Sequence, residues 1–324
     1  MSTDRGLFVV GIGASAGGVE ALEALFRPMP SDTGLAFVVV SHLAPHKISM
    51  LDDIVGRFTA MPVAQAQDGA KVEADHVYII PPDHSLTLER GRLRVHPAAA
   101  PRTLHPIDLF FATLAADRGD RAIGVVLSGS GSDGTLGIKA IKEHGGLTLA
   151  QGRDHSAPQQ GGMPASAIAS GLVDLVVPAE AMAEKLVAYV RSFDATARLA
   201  QPADDGPADG DVADARRRIC AILRDQVGHD FSGYKEKSFL RRVQRRMQVV
   251  QLTELERYIE RLRQDPDEVT LLFRDLLINV TSFLRDAEAF EALNTLVVPK
   301  LLEGKGAGDT VRVWVPGCAT GEEV

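Results

Sequence analysis

The chain has 324 residues, of which 45% are hydrophobic and 24% are charged, as is typical of globular domains that bury a core. This length favours two domains, and the net charge of −8 disfavours general nucleic-acid binding. No apolar stretch approaches the ~20 residues of a membrane helix, so membrane insertion is not expected. With only two cysteines, Cys220 and Cys318, the sequence implies no disulfide framework and predicts a cytoplasmic protein.

Three short polar signatures each follow an apolar run that reads as a strand. They place Ser15 after Leu7–Ile12, His42 after Ala36–Val40 and Asp133 after Ala122–Leu127. Strand-like and helix-like patterns alternate here, which predicts an α/β domain with a doubly wound, mostly parallel sheet in three layers. Because the carboxyl ends of parallel strands line one crevice, the three side chains can meet there. Serine, histidine and aspartate are the groups of a nucleophile, its base and the residue that orients the base.

The serine lies in a turn of small residues, Gly13–Gly18, before a helix predicted over Val19–Arg27. Small neighbours let the backbone turn sharply, and N–H groups at the helix start can stabilise an oxyanion. Other interpretations remain open. The glycines also fit a nucleotide-binding loop, and Asp133 also fits a turn or a helix cap. His42 also fits a buried core histidine or, with His46, half a metal site, although Pro45 argues against a shared helix, so no metal is predicted.

The remaining elements of this domain alternate in the same way. We predict strands at His76–Pro81, Leu147–Ala150 and Val173–Val177, a hairpin of Ser85–Leu88 with Leu93–His96, and helices at Thr135–His144 and Glu180–Phe193.

These residues resemble a known family. The motifs at Gly11–Gly18, Val40–Leu43, Leu127–Gly134 and Gly161–Ala165 are similar to those of the catalytic domain of chemotaxis protein-glutamate methylesterase (CheB-type), over residues 1–195. The resemblance implies Ser15 as nucleophile, His42 as general base and acid, and Asp133 as the residue that orients His42. It implies demethylation of glutamate γ-methyl esters on chemotaxis-type receptors, with glutamine deamidation as a second activity and no cofactor. Ser130 stands where the family has methionine.

A second region follows a segment rich in Pro, Gly, Asp and Ala, which predicts an acidic linker over 196–213. Beyond it a helix over Lys235–Met247 has an apolar face and a basic face, and capping boxes at Thr253 and Asp265 predict two more helices. The basic face is interpreted either as solvated or as a docking surface for an acidic partner. A strand over Thr310–Val315 then opens onto a glycine loop.

Residues 214–324 resemble the chemotaxis receptor methyltransferase (CheR-type). The motifs are Asn-x-Thr-x-Phe-x-Arg from Asn279 and Gly-x-x-Thr-Gly-Glu-Glu from Gly317, with Leu284 where the family has a second phenylalanine. The likeness implies a small all-α domain over 214–298 and, over 299–324, the start of a Rossmann-like S-adenosylmethionine domain. We therefore expect methyltransferase activity only in a longer fusion. The implied cofactor residues, an incomplete half-site, are Asn279, Thr281, Arg285 and Glu323; the implied receptor-facing residues are Arg241, Arg242, Arg245 and Arg246.

Two functions from different classes fit these motifs. The first is a serine hydrolase acting on a methylated chemoreceptor, in a chemotaxis signalling pathway. The alternative is a nucleotide- or cofactor-binding module without esterase activity, whose glycine loop merely resembles a nucleophile turn. A serine-directed phosphonate distinguishes them, because only an activated Ser15 should be labelled.

Overall fold

The computed structural model describes residues 6–41, 50–97, 105–153, 157–196, 210–277, 287–306 and 309–314. The chain divides into two compact units, Met1–Leu276 and Leu277–Val324. In the first unit seven strands form one parallel sheet in the order β3-β4-β2-β1-β7-β8-β9, and β5 and β6 form an antiparallel hairpin. The strands are β1 Phe8–Ala14, β2 Leu35–Ser41, β3 Val63–Gln65, β4 His76–Ile79, β5 His84–Glu89, β6 Arg92–Pro97, β7 Ala122–Val126, β8 Leu147–Gln151 and β9 Leu175–Val177.

Helices cover both faces of this sheet. The helices of the first unit are α1 Gly18–Phe26, α2 Leu51–Val55, α3 Pro106–Arg118, α4 Thr135–Glu143, α5 Gly162–Ala169, α6 Ala179–Thr196, α7 Gly210–Val227, α8 Glu236–Val249, α9 Leu255–Gln264 and α10 Pro266–Leu276. One core contains side chains of α1, α2 and α6, and the other contains those of α3, α4, α5 and the hairpin. The predicted three-layer, doubly wound α/β fold is confirmed.

The central strand β1 shows how the sequence permits close packing of a helix on the sheet. Gly13 lies inside β1, and a Cβ atom there would come within 2.5 Å of Ile107 Cγ2 on α3. Helix α3 was not among the predicted elements. Its signal is present in the sequence, because Ile107, Phe110 and Leu114 recur at helical spacing and all are fully buried.

Helices α7–α10 form a smaller all-α module with its own core, which includes Leu223, Phe239 and Tyr258. The predicted linker ends earlier than expected, because Gly210–Ala213 belong to α7. The prediction of a capping box at Thr253 is also wrong, since α9 begins at Leu255 without a side-chain cap. At α10, by contrast, the Asp265 carboxylate accepts the backbone N–H groups of residues 267 and 268.

In the second unit the described residues form a helical segment of α11 Ala287–Ala292, a π-helical turn Leu293–Val297 and α12 Val298–Leu302. The strand predicted over Thr310–Val315 is not formed at the positions described, 309–314. A strand is stabilised by hydrogen bonds to a neighbour, and none of the described residues of this unit offers one. No described helix is both long and apolar enough to cross a bilayer.

Candidate active site

The predicted nucleophile lies where the central strand turns into a helix. Ser15 directly follows β1, is half-buried, and donates its backbone N–H to Ser128 O at 2.9 Å. Its carbonyl accepts the N–H of Gly18, the first residue of α1, at 2.8 Å. Gly17 adopts the left-handed conformation (φ 72°) that this sharp turn requires. Ser15 is therefore held at the carboxyl edge of the sheet with α1 starting just behind it.

The loop after β7 forms the wall of the crevice beside this turn. Ser128 is fully buried, and its hydroxyl donates to Ala16 O at 2.9 Å and accepts the N–H of Gln160 at 3.0 Å. Its own backbone N–H donates to Gln151 Oε1 at 2.9 Å. One buried hydroxyl thus joins three loops around Ser15, a function that sequence reasoning did not assign to Ser128.

The glycine at the next position allows the two loops to approach. A Cβ atom on Gly129 would lie 2.1 Å from Met163 Sδ and 3.0 Å from Ser15 Cβ. Met163, at the start of α5, is fully buried and donates its N–H to Gly129 O at 2.9 Å. Any larger residue at 129 would displace either the methionine or the serine.

The predicted orienting residue, Asp133, is buried and caps a helix. Its carboxylate accepts the N–H groups of Ile107 at 3.1 Å and Asp108 at 2.9 Å, at the start of α3, and that of Gly134 at 2.8 Å. Asp108 in turn accepts the N–H of Gly137 in the first turn of α4 at 2.7 Å. The two helix N-termini therefore share two carboxylates, which stabilises both ends.

A third side chain lies near these carboxylates. His105 Nδ1 is 3.8 Å from Asp133 Oδ1, and one donor atom from each of His105, Asp108 and Asp133 lies within 4.8 Å of the others. Burial raises the pKa of Asp108, as does the charge of Asp133, while the Gly137 N–H opposes that rise. The backbone N–H groups that Asp108 and Asp133 accept at two helix N-termini explain why these two carboxylates lie close together.

The sheet register places the strands that lead to the predicted catalytic residues side by side. Ala14, which precedes Ser15, pairs with Ser41, which precedes His42 in the sequence. Strand β7, which leads to Asp133, lies on the other side of β1, with Gly13 paired to Val126. His42 itself lies outside the described residues. The described geometry therefore has Ser15 directly after β1 and Asp133 in the loop that follows the adjacent strand β7.

The basic residues of α8 are not arranged as predicted. Arg241 is exposed, but Arg242, Arg245 and Arg246 are 3%, 4% and 1% exposed. The reason is that α8 packs between α6 of the α/β domain and α10, facing buried carboxylates on both sides. The expectation of a solvent-facing basic surface is therefore wrong for these three arginines.

Three buried cations and three buried carboxylates form an ion-pair cluster there. Arg245 contacts Asp174 of the α/β domain and, at 2.6 Å, Asp275 of α10. Lys142 Nζ lies 2.6 Å from Asp174 and 2.8 Å from Asp275. Arg246 pairs with Glu268 at 2.7 Å and with Asp174 at 3.3 Å. The all-α module is thus fixed to the α/β domain by groups from both. The predicted cofactor residues Asn279, Thr281, Arg285 and Glu323 lie outside the described residues.

The fold and this crevice define the first part of the chain as an α/β domain of the hydrolase type, with a serine at a strand-to-helix turn. The chain belongs to the CheB methylesterase family, whose model matches residues 10–186. Two further models match, the all-alpha domain of CheR methyltransferase over 214–277 and its SAM binding domain over 279–324. The resemblances proposed from the motifs are confirmed.

Similar proteins agree with this assignment. A protein-glutamate methylesterase/protein-glutamine glutaminase of Yersinia pestis is 33% identical over 57% of this chain and 53% of its own length. Another, from Burkholderia orbicola, is 37% identical over 56% of this chain and 54% of its own. The chain thus spans about half the length of these enzymes.

Two further proteins are similar to this chain, one over most of its length and one over the α/β domain. An uncharacterised 104.1 kDa protein of Rhodobacter capsulatus is 39% identical over 83% of this chain, which corresponds to 30% of that protein. The solved catalytic domain of Thermotoga maritima CheB methylesterase superposes with a TM-score of 0.52 at 30% identity, over 56% of this chain and 97% of that domain.

Proposed function

We propose that the α/β domain is a serine hydrolase that demethylates glutamate γ-methyl esters on a chemotaxis-type receptor and also deamidates glutamine. The observation that carries this proposal is the placement of Ser15 directly after β1 and of Asp133 in the loop after the neighbouring parallel strand β7, with Ala14 in register with Ser41. The family match and relatives named as methylesterases support it over a cofactor-binding module.

In the proposed reaction Ser15 Oγ attacks the ester carbonyl while His42 takes its proton, and the proton then passes to departing methanol. Water, deprotonated by the same histidine, hydrolyses the acyl-enzyme and releases the glutamate carboxylate. Among the described residues, no acceptor bonds the N–H groups of Ala16 and Gly17, so these two donors are assigned to the oxyanion. Asp133 is assigned the role of orienting His42, and its hydrogen bonds to the start of α3 hold its carboxylate in place for that role.

The proposed partner is a methylated receptor, and the proposed compartment is the cytoplasm, on the basis of the low cysteine content. Arg241 is the one predicted receptor-facing arginine that is exposed. For the second region we propose S-adenosylmethionine as the ligand of a complete methyltransferase domain, with Asn279, Thr281, Arg285 and Glu323 facing it. The match of the SAM binding domain model to 279–324 supports that proposal.

Ser15→Ala is the direct test. The substitution removes one oxygen from a half-buried turn, so we expect an unchanged fold, no methanol release from methylated receptor and no labelling by a fluorophosphonate. Ser130→Ala, which alters an exposed serine in the neighbouring loop, serves as the labelling control, and peptide mapping should still find the label on Ser15. Methanol release by the Ser15→Ala protein at the wild-type rate would refute the serine mechanism.

A further inference from the structure

A cavity of about 230 Å³ lies between the α/β domain and the all-α module, at the amino-terminal edge of the sheet. Asp120 and Gly145, which precede β7 and β8, line one side, and α8 lines the other. Ser15 occupies the opposite, carboxyl edge of the same sheet. This cavity is therefore separate from the proposed esterase site.

The cavity is lined by largely buried side chains whose polar atoms have no partner among the described residues. Arg242 is 3% exposed, and no acceptor or carboxylate among the described residues pairs with its guanidinium group. The side-chain amides of Gln244 and Gln248, 8% and 4% exposed, also form no hydrogen bond with a described residue. Buried polar groups are nearly always hydrogen-bonded, and a buried cation without a counter-charge is costly. Three such groups around one cavity can together donate hydrogen bonds to a ligand that carries acceptor atoms.

The charges specify what that ligand must be. Arg245 is neutralised by Asp174 and Asp275, whereas Arg241 and Arg242 have no carboxylate partner among the described residues. Burial lowers the pKa of Arg242, and the charges of Arg245 and Arg241 lower it further, while the charge of Asp275 opposes the fall. Two guanidinium groups without an ion pair to a described carboxylate therefore line the cavity. Phosphate, with a charge of about −1.5 to −2 at neutral pH, matches them better than a monovalent carboxylate.

We propose that this interdomain cavity binds a small divalent oxyanion of the phosphate class, held by Arg241 and Arg242 with the amides of Gln244 and Gln248. The anion is either free phosphate or the phosphate group of a phosphomonoester. Because α8 and the edge of the α/β domain line the same space, the site is complete only when the two are docked, and a bound anion stabilises that arrangement. Asp120 also lines the cavity without an ion pair to a described cation, and it repels the ligand.

The test is thermal unfolding of the whole 324-residue chain in inorganic phosphate at constant ionic strength, with chloride and acetate as comparison salts. We expect Tm to rise with phosphate and not with chloride, and acetate to bind at least about tenfold more weakly. Arg242→Met removes a charge-assisted hydrogen bond and should weaken phosphate binding at least about tenfold. In chloride, however, this variant should be as stable as the wild type or more so, because it removes an unpaired buried charge.

Two further variants keep the test decisive. Asp120→Asn should tighten phosphate binding several-fold, and Arg263→Met, at an exposed arginine of α9, should leave it unchanged. Adenosine monophosphate, with adenosine as control, distinguishes a phosphomonoester from free phosphate. The proposal is overturned if phosphate has no more effect than chloride. It is also overturned if Asp120→Asn destabilises the chain in chloride, because Asp120 is then the counter-charge, or if only an acidic receptor peptide raises Tm.

Discussion

The buried ion-pair cluster predicts a large loss of stability when Arg245 is removed. Its side chain donates to Gly146 O at 2.6 Å, to Gly145 O at 3.2 Å and to two carboxylates that are themselves fully buried. In Arg245→Met three carboxylates would face two cations, and two carbonyls would lose a donor. Breaking a buried pair from one side costs about 3–5 kcal/mol, and we expect a loss in that range.

A double variant separates lost charge balance from lost packing. Arg245→Met combined with Asp275→Asn leaves Lys142 and Arg246 opposite Asp174 and Glu268, so the cluster is again neutral. We expect the double variant to recover at least about half of the free energy of unfolding that Arg245→Met loses. Two neutral side chains in the cluster destabilise the fold less than one buried charge without a partner.

The assay is urea unfolding followed by circular dichroism, because the single tryptophan, Trp314, lies in the second unit and does not report on the cluster. Arg218→Met is the matched control, since Arg218 pairs with Glu256 at 2.7 Å at the surface and exposed pairs contribute about 0–1 kcal/mol. If Arg245→Met costs no more than Arg218→Met, the reasoning about the cluster is refuted.

Two other predictions follow from the described contacts. Burial alone would raise the pKa values of Asp174 and Asp275, but Arg245 and Lys142 hold them below the usual range, so their contribution to stability is complete above about pH 4 and is lost as pH falls further. The urea midpoint should therefore fall less between pH 7 and pH 3 for Asp275→Asn than for the wild type. An equal fall of the midpoint in the two proteins would contradict this. Gly129→Ala should slow fluorophosphonate labelling of Ser15 and destabilise by about 1–3 kcal/mol through overpacking, whereas Gly233→Ala, with no atom within 4 Å of the new Cβ, should do neither.

The sequence determined the elements that depend on local pattern. Apolar runs located β1, β2 and β7, and small residues located the turn that holds Ser15. Period-two alternation around a turn located the β5–β6 hairpin, whose strands pair in the expected antiparallel register. These features were predictable because neighbouring residues along the chain decide them.

Tertiary structure decided which partner each polar side chain meets. The helical spacing of Arg242, Arg245 and Arg246 is the same for a solvated face as for a buried one. Arg245 can be buried because it pairs with Asp174, which lies 71 positions earlier in the chain. Asp133 likewise caps α3 by accepting the N–H of Ile107, which lies 26 positions earlier, in addition to accepting the N–H of Gly134 in its own turn. A charged side chain is stable inside a protein only beside an opposite charge or a donor, and sequence patterns do not reveal which distant residue the fold will bring there.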